Sequence, residues 1–385
     1  MKRIEYLCYY DTPENKKSNR RYVLSAANVI TYMIEVLADM EKYDIEVVSI
    51  AGSNNTRGCR GGVRWINHGV KLRDFYSLGK GGRLKNKIDF LVLKLLTFIY
   101  LLIKLRKGDS LLVYHSIYYM DIVKLLKKFK KINLILQVEE IYGDVMDNKK
   151  LRKKELDFFP LADSYVFPTS LLNNLVNRDL KPFAIIHGTY KIENDRENNK
   201  FVKQFKNENS NVVHCVYAGT LDPRKGGTMA AEASAYLPDN YHVHILGFGT
   251  DEEIARIKSY VDNISTNSKA KLSYDGVLSG EDYIQFLQCC KIGLCTQDPD
   301  AMFNSTSFPS KILSYLSNGL RVVTTDIPAV RESSVGGILY YYRKQRPEEI
   351  AQVIKKININ DNYDSRTLVN GVAEKFRISF YKLFE

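Results

Sequence analysis

No stretch of this 385-residue chain supplies the roughly 20 consecutive apolar residues that a membrane-spanning helix needs. The longest apolar run, Phe90 to Ile103, is broken by Lys94 and Thr97. It fits burial between a sheet and its neighbouring layers, or partial insertion into a bilayer interface. Metal-binding cysteine patterns are missing too. Cys8, Cys59, Cys215, Cys289, Cys290 and Cys295 form no CxxC or Cys/His spacing, and most stand in apolar runs, as buried thiols of a reducing compartment do. No signal-peptide pattern precedes the strand-like RIEYLCYYD, so a cytoplasmic location is expected. Acidic residues are scarce in one place. From Ala51 to Lys131, 18 Lys and Arg stand against four Asp, a net +14 in a chain whose total is +12. A basic face confined to one half suits a polyanionic partner. An anionic membrane surface is expected rather than nucleic acid, because the charge is laid on no recognised nucleic-acid module.

What is present is a long α/β alternation. With 45% hydrophobic residues, 26 Tyr and 17 Phe, the chain is folded, and its length exceeds what one core usually serves. Strand-like RIEYLCYYD, IEVVSIAG, LLVYHS, INLILQVEE, ADSYVFPT and FAIIHG alternate with helical segments. An Arg- and Gly-rich stretch from Asn54 to Arg83 reads as irregular. The alternation restarts with VVHCVYAGTL, YHVHILGFG, KLSYDGVL, KIGLCTQ, RVVTTDI and GGILYYY. This pattern predicts an α/β fold of two Rossmann-like, doubly wound domains in tandem. The expected boundaries are a first domain over 1–190, a linker over 191–211, a second domain over 212–364 and a terminal helix over 365–385.

Ligands of such sheets bind at the carboxyl ends of the strands. Three turns there carry suitable chemistry in the second half. AGTLDPRKGG offers Gly219 for close backbone approach, then Thr220, with Arg224 and Lys225 at a helix start to meet a diphosphate. LGFGT offers Gly247 and Gly249, which leave room for a flat ring. In NSTSFPSKILSYLSNGLRVVTTDIP, the polar loop of Asn304, Ser305, Thr306 and Ser307 leads into a helix with Lys311 in its first turn, ended by Gly319.

In that order, YAGTLDPRKGG, ILGFG and FPSKILSYLSNGLRVVTTDIP resemble the GT-B fold nucleotide-sugar glycosyltransferases, in particular the bacterial family 4 enzymes that build surface polysaccharides. The resemblance covers most of the second half and, loosely, the first. It implies the GT-B arrangement, two domains facing each other across a cleft with the acceptor on 1–190, the nucleotide-sugar on 212–364 and the terminal helix crossing back to the first domain. It also implies transfer of a hexosyl or related sugar with retention favoured. Cations with helix dipoles can hold a diphosphate, so metal independence is expected. The donor is a nucleotide diphosphate-sugar, UDP-sugar ahead of GDP-sugar, and no cofactor is implied. The acceptor is a growing, lipid-linked glycan. Two departures stand out. The Arg that usually follows the first Gly is Thr220, and the paired glutamates of many members are Thr306 and Ser314. A hydroxyl gives one hydrogen bond where a carboxylate gives two charge-assisted ones, so donor recognition differs in detail.

The acceptor's proton needs a base. Glu139 and Glu140, ending INLILQVEE, are the catalytic candidates, and mutual repulsion would raise one pKa. Asp11, His187 with Gly188, and the Lys16, Lys17, Arg20, Arg21 cluster are lesser ones. Two other readings remain open at this point: a sugar-nucleotide epimerase of the same architecture, and a degenerate, non-catalytic binding protein. The first reading is a cytoplasmic, peripherally membrane-associated glycosyltransferase.

Overall fold

A computed structural model describes residues 2–385 apart from 13–14, 16–18, 67–68, 209–210, 267 and 301–305. The chain divides into two compact units: Met1–Thr189 with Lys375–Glu385, and Tyr190–Glu374.

The first unit holds eight strands: β1 (Lys2–Cys8), β2 (Tyr43–Ser49), β3 (Gly62–Trp65), β4 (Lys71–Asp74), β5 (Ser110–Tyr114), β6 (Asn133–Gln137), β7 (Ser164–Phe167) and β8 (Phe183–Ile185). Their order across the sheet is β3-β4-β2-β1-β5-β6-β7-β8, and every pairing is parallel except β3 with β4. The inner strands are buried on both faces, which is why LLV and LIL run without polar alternation. The stretch expected to be irregular, 54–83, therefore carries the antiparallel hairpin β3–β4 at the sheet edge. Arg64 of β3 ion-pairs with both Asp11 and Asp74, and Arg20 donates to Asp74 at 3.0 Å and to the Ala51 carbonyl at 2.7 Å. Buried carboxylates are stable only when paired, so this network fixes the hairpin.

The helix Arg83–Lys104 is turned in a way its composition does not suggest. It buries Asp89, Leu93, Thr97 and Leu101. Asp89 accepts from the Leu78 amide at 2.6 Å, the Ser77 hydroxyl at 2.9 Å and Arg21 at 3.0 Å. Those three bonds decide which face points inward. Leu84, Ile88, Leu91, Leu95, Ile99 and Ile103 are left on the outer face, each 43–74% exposed. Burial between layers thus holds for only one side of this helix. No helix among the described residues is long and apolar enough to cross a membrane.

The second unit is a six-stranded, fully parallel sheet of β9 (Val213–Thr220), β10 (Tyr241–Phe248), β11 (Lys271–Gly276), β12 (Ile292–Cys295), β13 (Arg321–Thr325) and β14 (Tyr340–Tyr342). Its order, β11-β10-β9-β12-β13-β14, is that of a Rossmann sheet, with the switch point between β9 and β12. Residues 191–211, expected as a linker, belong to this unit. Arg196 pairs with Glu281 at 2.7 Å, and Phe205, in a short helix over Val202–Asn207, packs its ring 5.2 Å from Phe286. The phenylalanine gives that polar stretch an apolar anchor. The last helix, Ser365–Tyr381, starts on the second unit, where Ser365 donates to the Leu316 carbonyl at 2.7 Å. Residues 375–385 count with the first unit, where Tyr43 donates to the Phe384 carbonyl at 2.9 Å and Asn133 to that of Leu383 at 2.8 Å.

Candidate functional site

In the second unit the three turns singled out from the sequence lie together at the β9/β12 switch point. β9 and β10 end in register, Gly247 opposite Gly219 and Phe248 opposite Thr220. A Cβ on Gly219 would sit 3.1 Å from the Lys311 amine, so the glycine lets that amine lie against the end of β9. Lys311 opens the helix Lys311–Ser317, whose Ile312, Leu313, Tyr315 and Leu316 are buried and lock its rotation. Tyr315 accepts from the Ala218 amide at 2.8 Å and so ties this helix to β9.

Lys311 is half-buried. Its Nζ stands 4.0 Å from the centre of the Tyr217 ring and donates to the Lys225 carbonyl at 3.4 Å. Among the described residues no carboxylate ion-pairs with it. Burial, and secondarily the charge of Lys225, lower its pKa to about 8, despite an opposing pull from Cys295. An amine so held gains from any anion that reaches it.

The loop after β9 is shaped to keep Lys225 close. Asp222 caps a single turn over Pro223–Lys225, and Gly226 follows at φ +89°, a conformation suited to glycine. A Cβ there would also meet the Thr296 carbonyl at 2.0 Å. Tyr217 donates to the Thr220 or Lys225 carbonyl at 2.7 and 3.0 Å, and Asp298 reaches from the loop after β12 to the Arg224 carbonyl at 3.1 Å.

Other expected roles change. Arg224, named for a diphosphate, folds back on Asp222 at 2.6 Å, so its charge is already matched on the surface. Gly247 is buried and Gly249 exposed at the end of β10. A Cβ on Gly247 would meet the Gly219 carbonyl at 2.2 Å, and one on Gly249 the Glu253 carboxylate at 2.6 Å. Ser314 shares a hydrogen bond of 3.1 Å with Tyr283 on a neighbouring helix. Thr306 and Ser307 lead into the Lys311 helix, while Asn304 and Ser305 lie outside the described residues.

In the first unit, Glu139 and Glu140 follow β6, with Val138 between. Glu139 is half-buried and accepts from Gln137 at 2.7 Å, and Gln137 in turn accepts from Tyr6 at 2.7 Å. Burial raises its pKa to about 7; the Gln137 bond opposes this and the Glu140 charge adds to it. The expected mutual repulsion is therefore present, but desolvation outweighs it. A carboxyl poised near neutrality suits proton transfer. Asp11 is committed to Arg64, and His187 to the Pro168 carbonyl at 2.7 Å. Arg20 is buried in its network, and Lys16 and Lys17 lie outside the described residues.

The sequence reading missed His115. It follows β5, is buried, and contacts Glu155 at 2.8 Å; Glu155 also accepts from the Tyr142 and Gly143 amides at 3.0 and 2.7 Å. This pair pins the turn just beyond Glu139. The signal was only one histidine at the end of LLVYHS, paired with a glutamate 40 residues later.

Comparison with known proteins places this geometry. Residues 213–359 match the family described as Glycosyl transferases group 1. No curated protein matches the sequence. Similar solved structures include the E. coli trehalose-6-phosphate protein bound with UDP-2-fluoro glucose (9% identity, TM-score 0.71, covering 100% of this chain and 99% of that one). Another is an alpha,alpha-trehalose-phosphate synthase (UDP-forming) from Burkholderia xenovorans in complex with glucose-6-phosphate (10%, 0.68, covering 100% of each). A third is HepE from Anabaena in complex with UDP and glucose (11%, 0.65, covering 99% and 98%). The chain thus has the GT-B fold, and its second unit carries a group 1 glycosyltransferase domain.

Proposed function

We propose that the protein transfers a sugar from a UDP-sugar to a growing, lipid-linked surface-polysaccharide acceptor while resting on the cytoplasmic face of a membrane. The observation that carries the reading is Lys311, a half-buried amine without a carboxylate partner among the described residues, set against Gly219 where the two halves of a Rossmann sheet diverge. In transfer, the acceptor oxygen bonds to the anomeric carbon and the bond from that carbon to the diphosphate breaks. The leaving group keeps the electron pair, and its developing charge is what an aligned cation stabilises most. Lys311 supplies that cation, joined by Lys225 and by Thr306 and Ser307 before the helix, so a metal is not needed there. Glu139 accepts the hydroxyl hydrogen bond and then the proton. The resemblance favours retention, and the anomeric coupling constant of the product tests that part.

The membrane clause rests on the first unit. Six exposed Leu and Ile spaced three or four residues apart make one stripe along the helix Arg83–Lys104. Tyr118, also exposed, stands 5.6 Å from Phe90 of this helix, and Leu125 and Phe129 are exposed on the next helix, Met120–Phe129. Lys85, Lys87 and Lys104 stand on the same helix, while Lys94 is already paired with Asp121. Each fully buried Leu or Ile contributes about 1.5–3 kcal/mol and each surface lysine about 1 kcal/mol, so apolar insertion outweighs attraction to the headgroups. An anionic bilayer satisfies both.

Release of UDP from a panel of UDP-sugars, with and without lipid-linked glycan from the parent cell, tests the reading. Release that needs the glycan supports transfer. Conversion of donor without acceptor would mean an epimerase, and binding without turnover a non-catalytic protein.

A further inference from the structure

At the opposite end of the second sheet from Lys311 lies a cluster that glycosyl transfer does not use. His214 on β9 and His242 on β10 are register partners, and His244 lies two residues further along β10 on the same face. All three are buried, and their side-chain nitrogens lie within 4.8 Å of one another. At a rise of about 3.3 Å per residue, His214 is about 16 Å from Gly219 along the strand.

The hydrogen bonds orient the rings. His242 Nδ1 contacts Glu208 at 2.7 Å, and His244 Nδ1 contacts Asp275 at 3.0 Å. A carboxylate at Nδ1 holds the proton there, which leaves the lone pair on Nε2 of both rings. His244 Nε2 stands 3.0 Å from His214 Nδ1, and His242 Nε2 2.9 Å from the Ser273 hydroxyl. Two carboxylate-anchored imidazoles and a third ring thus bring one nitrogen each within 4.8 Å of the others, with the Ser273 hydroxyl, 2.8 Å from Asp275, also 3.2 Å from His244 Nδ1. This is how proteins prepare histidines for a metal, since the anchoring carboxylate fixes the tautomer and raises ligand basicity. Plain core packing would call for apolar rings and would not place Glu208 and Asp275 behind them.

We propose that His214 Nδ1, His242 Nε2 and His244 Nε2 bind one zinc-class divalent cation, with Ser273 or water in the fourth position and Asp275 and Glu208 as positioning residues. His214 then carries its proton on Nε2. Bonds of about 2.1 Å in a tetrahedron put ligand nitrogens about 3.4 Å apart, so modest ring rotations close the site. The two carboxylates balance the dication, although Glu208 also pairs with Lys271. Phe205 and Phe286 cover the site, with ring centres 5.1 Å from His244. The ion would fasten β9 to β10 and steady the segment that carries Glu208.

The test uses the full chain without a polyhistidine tag, stripped with chelator and titrated with Zn²⁺ against a chromophoric chelator, and separately with Co²⁺. The expected result is one equivalent bound, a tetrahedral Co²⁺ spectrum without thiolate charge transfer, and a raised melting temperature. His244→Gln should weaken binding at least about 100-fold and Asp275→Asn about 10–100-fold, while Cys289→Ser leaves it unchanged. Circular dichroism checks that each variant is folded, and the wild-type Co²⁺ spectrum serves if the histidine variant is not. Absence of stoichiometric binding by the wild-type protein, or binding that folded His244→Gln and Asp275→Asn leave intact, would overturn the proposal and make the cluster a packed core.

Discussion

The carboxyl ends of the two sheets bury opposite charges with the same consequence. At the end of β6 a carboxyl is pushed up to about 7, and beside β9 an amine is pushed down to about 8, in each case chiefly by burial. Removal from water disfavours whichever form is charged, so an acid and a base both move toward neutrality. The two sheets share the order of a doubly wound fold, so what differs is the side chain placed at the favoured edge. The fold supplies position and the residue supplies chemistry.

The largest effect should come from the acid. Glu139→Gln is expected to lower turnover by about 10²–10⁴-fold with donor binding unchanged, as steady-state kinetics and UDP binding would show. If transfer persists, the two sheet edges do not divide the chemistry as described. Next comes pH. Glu139 acts as a base only when ionised, so kcat/KM should rise as pH passes about 7. Lys311 holds a diphosphate only when protonated, so it should fall again above about 8. Glu139→Gln should erase the acid limb, and Lys311→Arg should carry the alkaline limb beyond the assay range, because a guanidinium stays protonated. A flat profile in the wild-type enzyme would remove the comparison.

Much of this was legible in the sequence, for reasons specific to each element. Both sheets announced themselves as short apolar strands between helices, and Lys311 was readable from a helix start after SFPS. The hairpin β3–β4 was not, because GVRW and KLRD are polar edge strands fixed by the distant Asp11–Arg64–Asp74 contacts. The pairing of Arg224 with Asp222 was available in DPR, where an Asp caps the turn that follows it. HVH placed His242 and His244 on one face, but His214 joins them only through strand register. The outward face of the helix Arg83–Lys104 depended on Asp89 finding Ser77, Leu78 and Arg21.

Smaller effects sharpen the contrast between the units. Leu91→Glu with Leu95→Glu should weaken flotation with anionic vesicles at least about tenfold while leaving UDP binding alone, which would assign the bilayer to the first unit only. Raising the salt should weaken wild-type flotation less than the double substitution does, since apolar insertion dominates. Arg224→Ala should change kcat/KM by less than about threefold, because its guanidinium is exposed and already matched by Asp222.

The most direct test is calorimetric binding of UDP to wild-type protein and to Lys311→Met. Wild type should bind with an affinity that declines as pH rises through about 8. The variant should bind at least about 100-fold more weakly at pH 7 with its melting temperature little changed. A folded Lys311→Met protein that binds UDP as tightly as wild type would contradict the account.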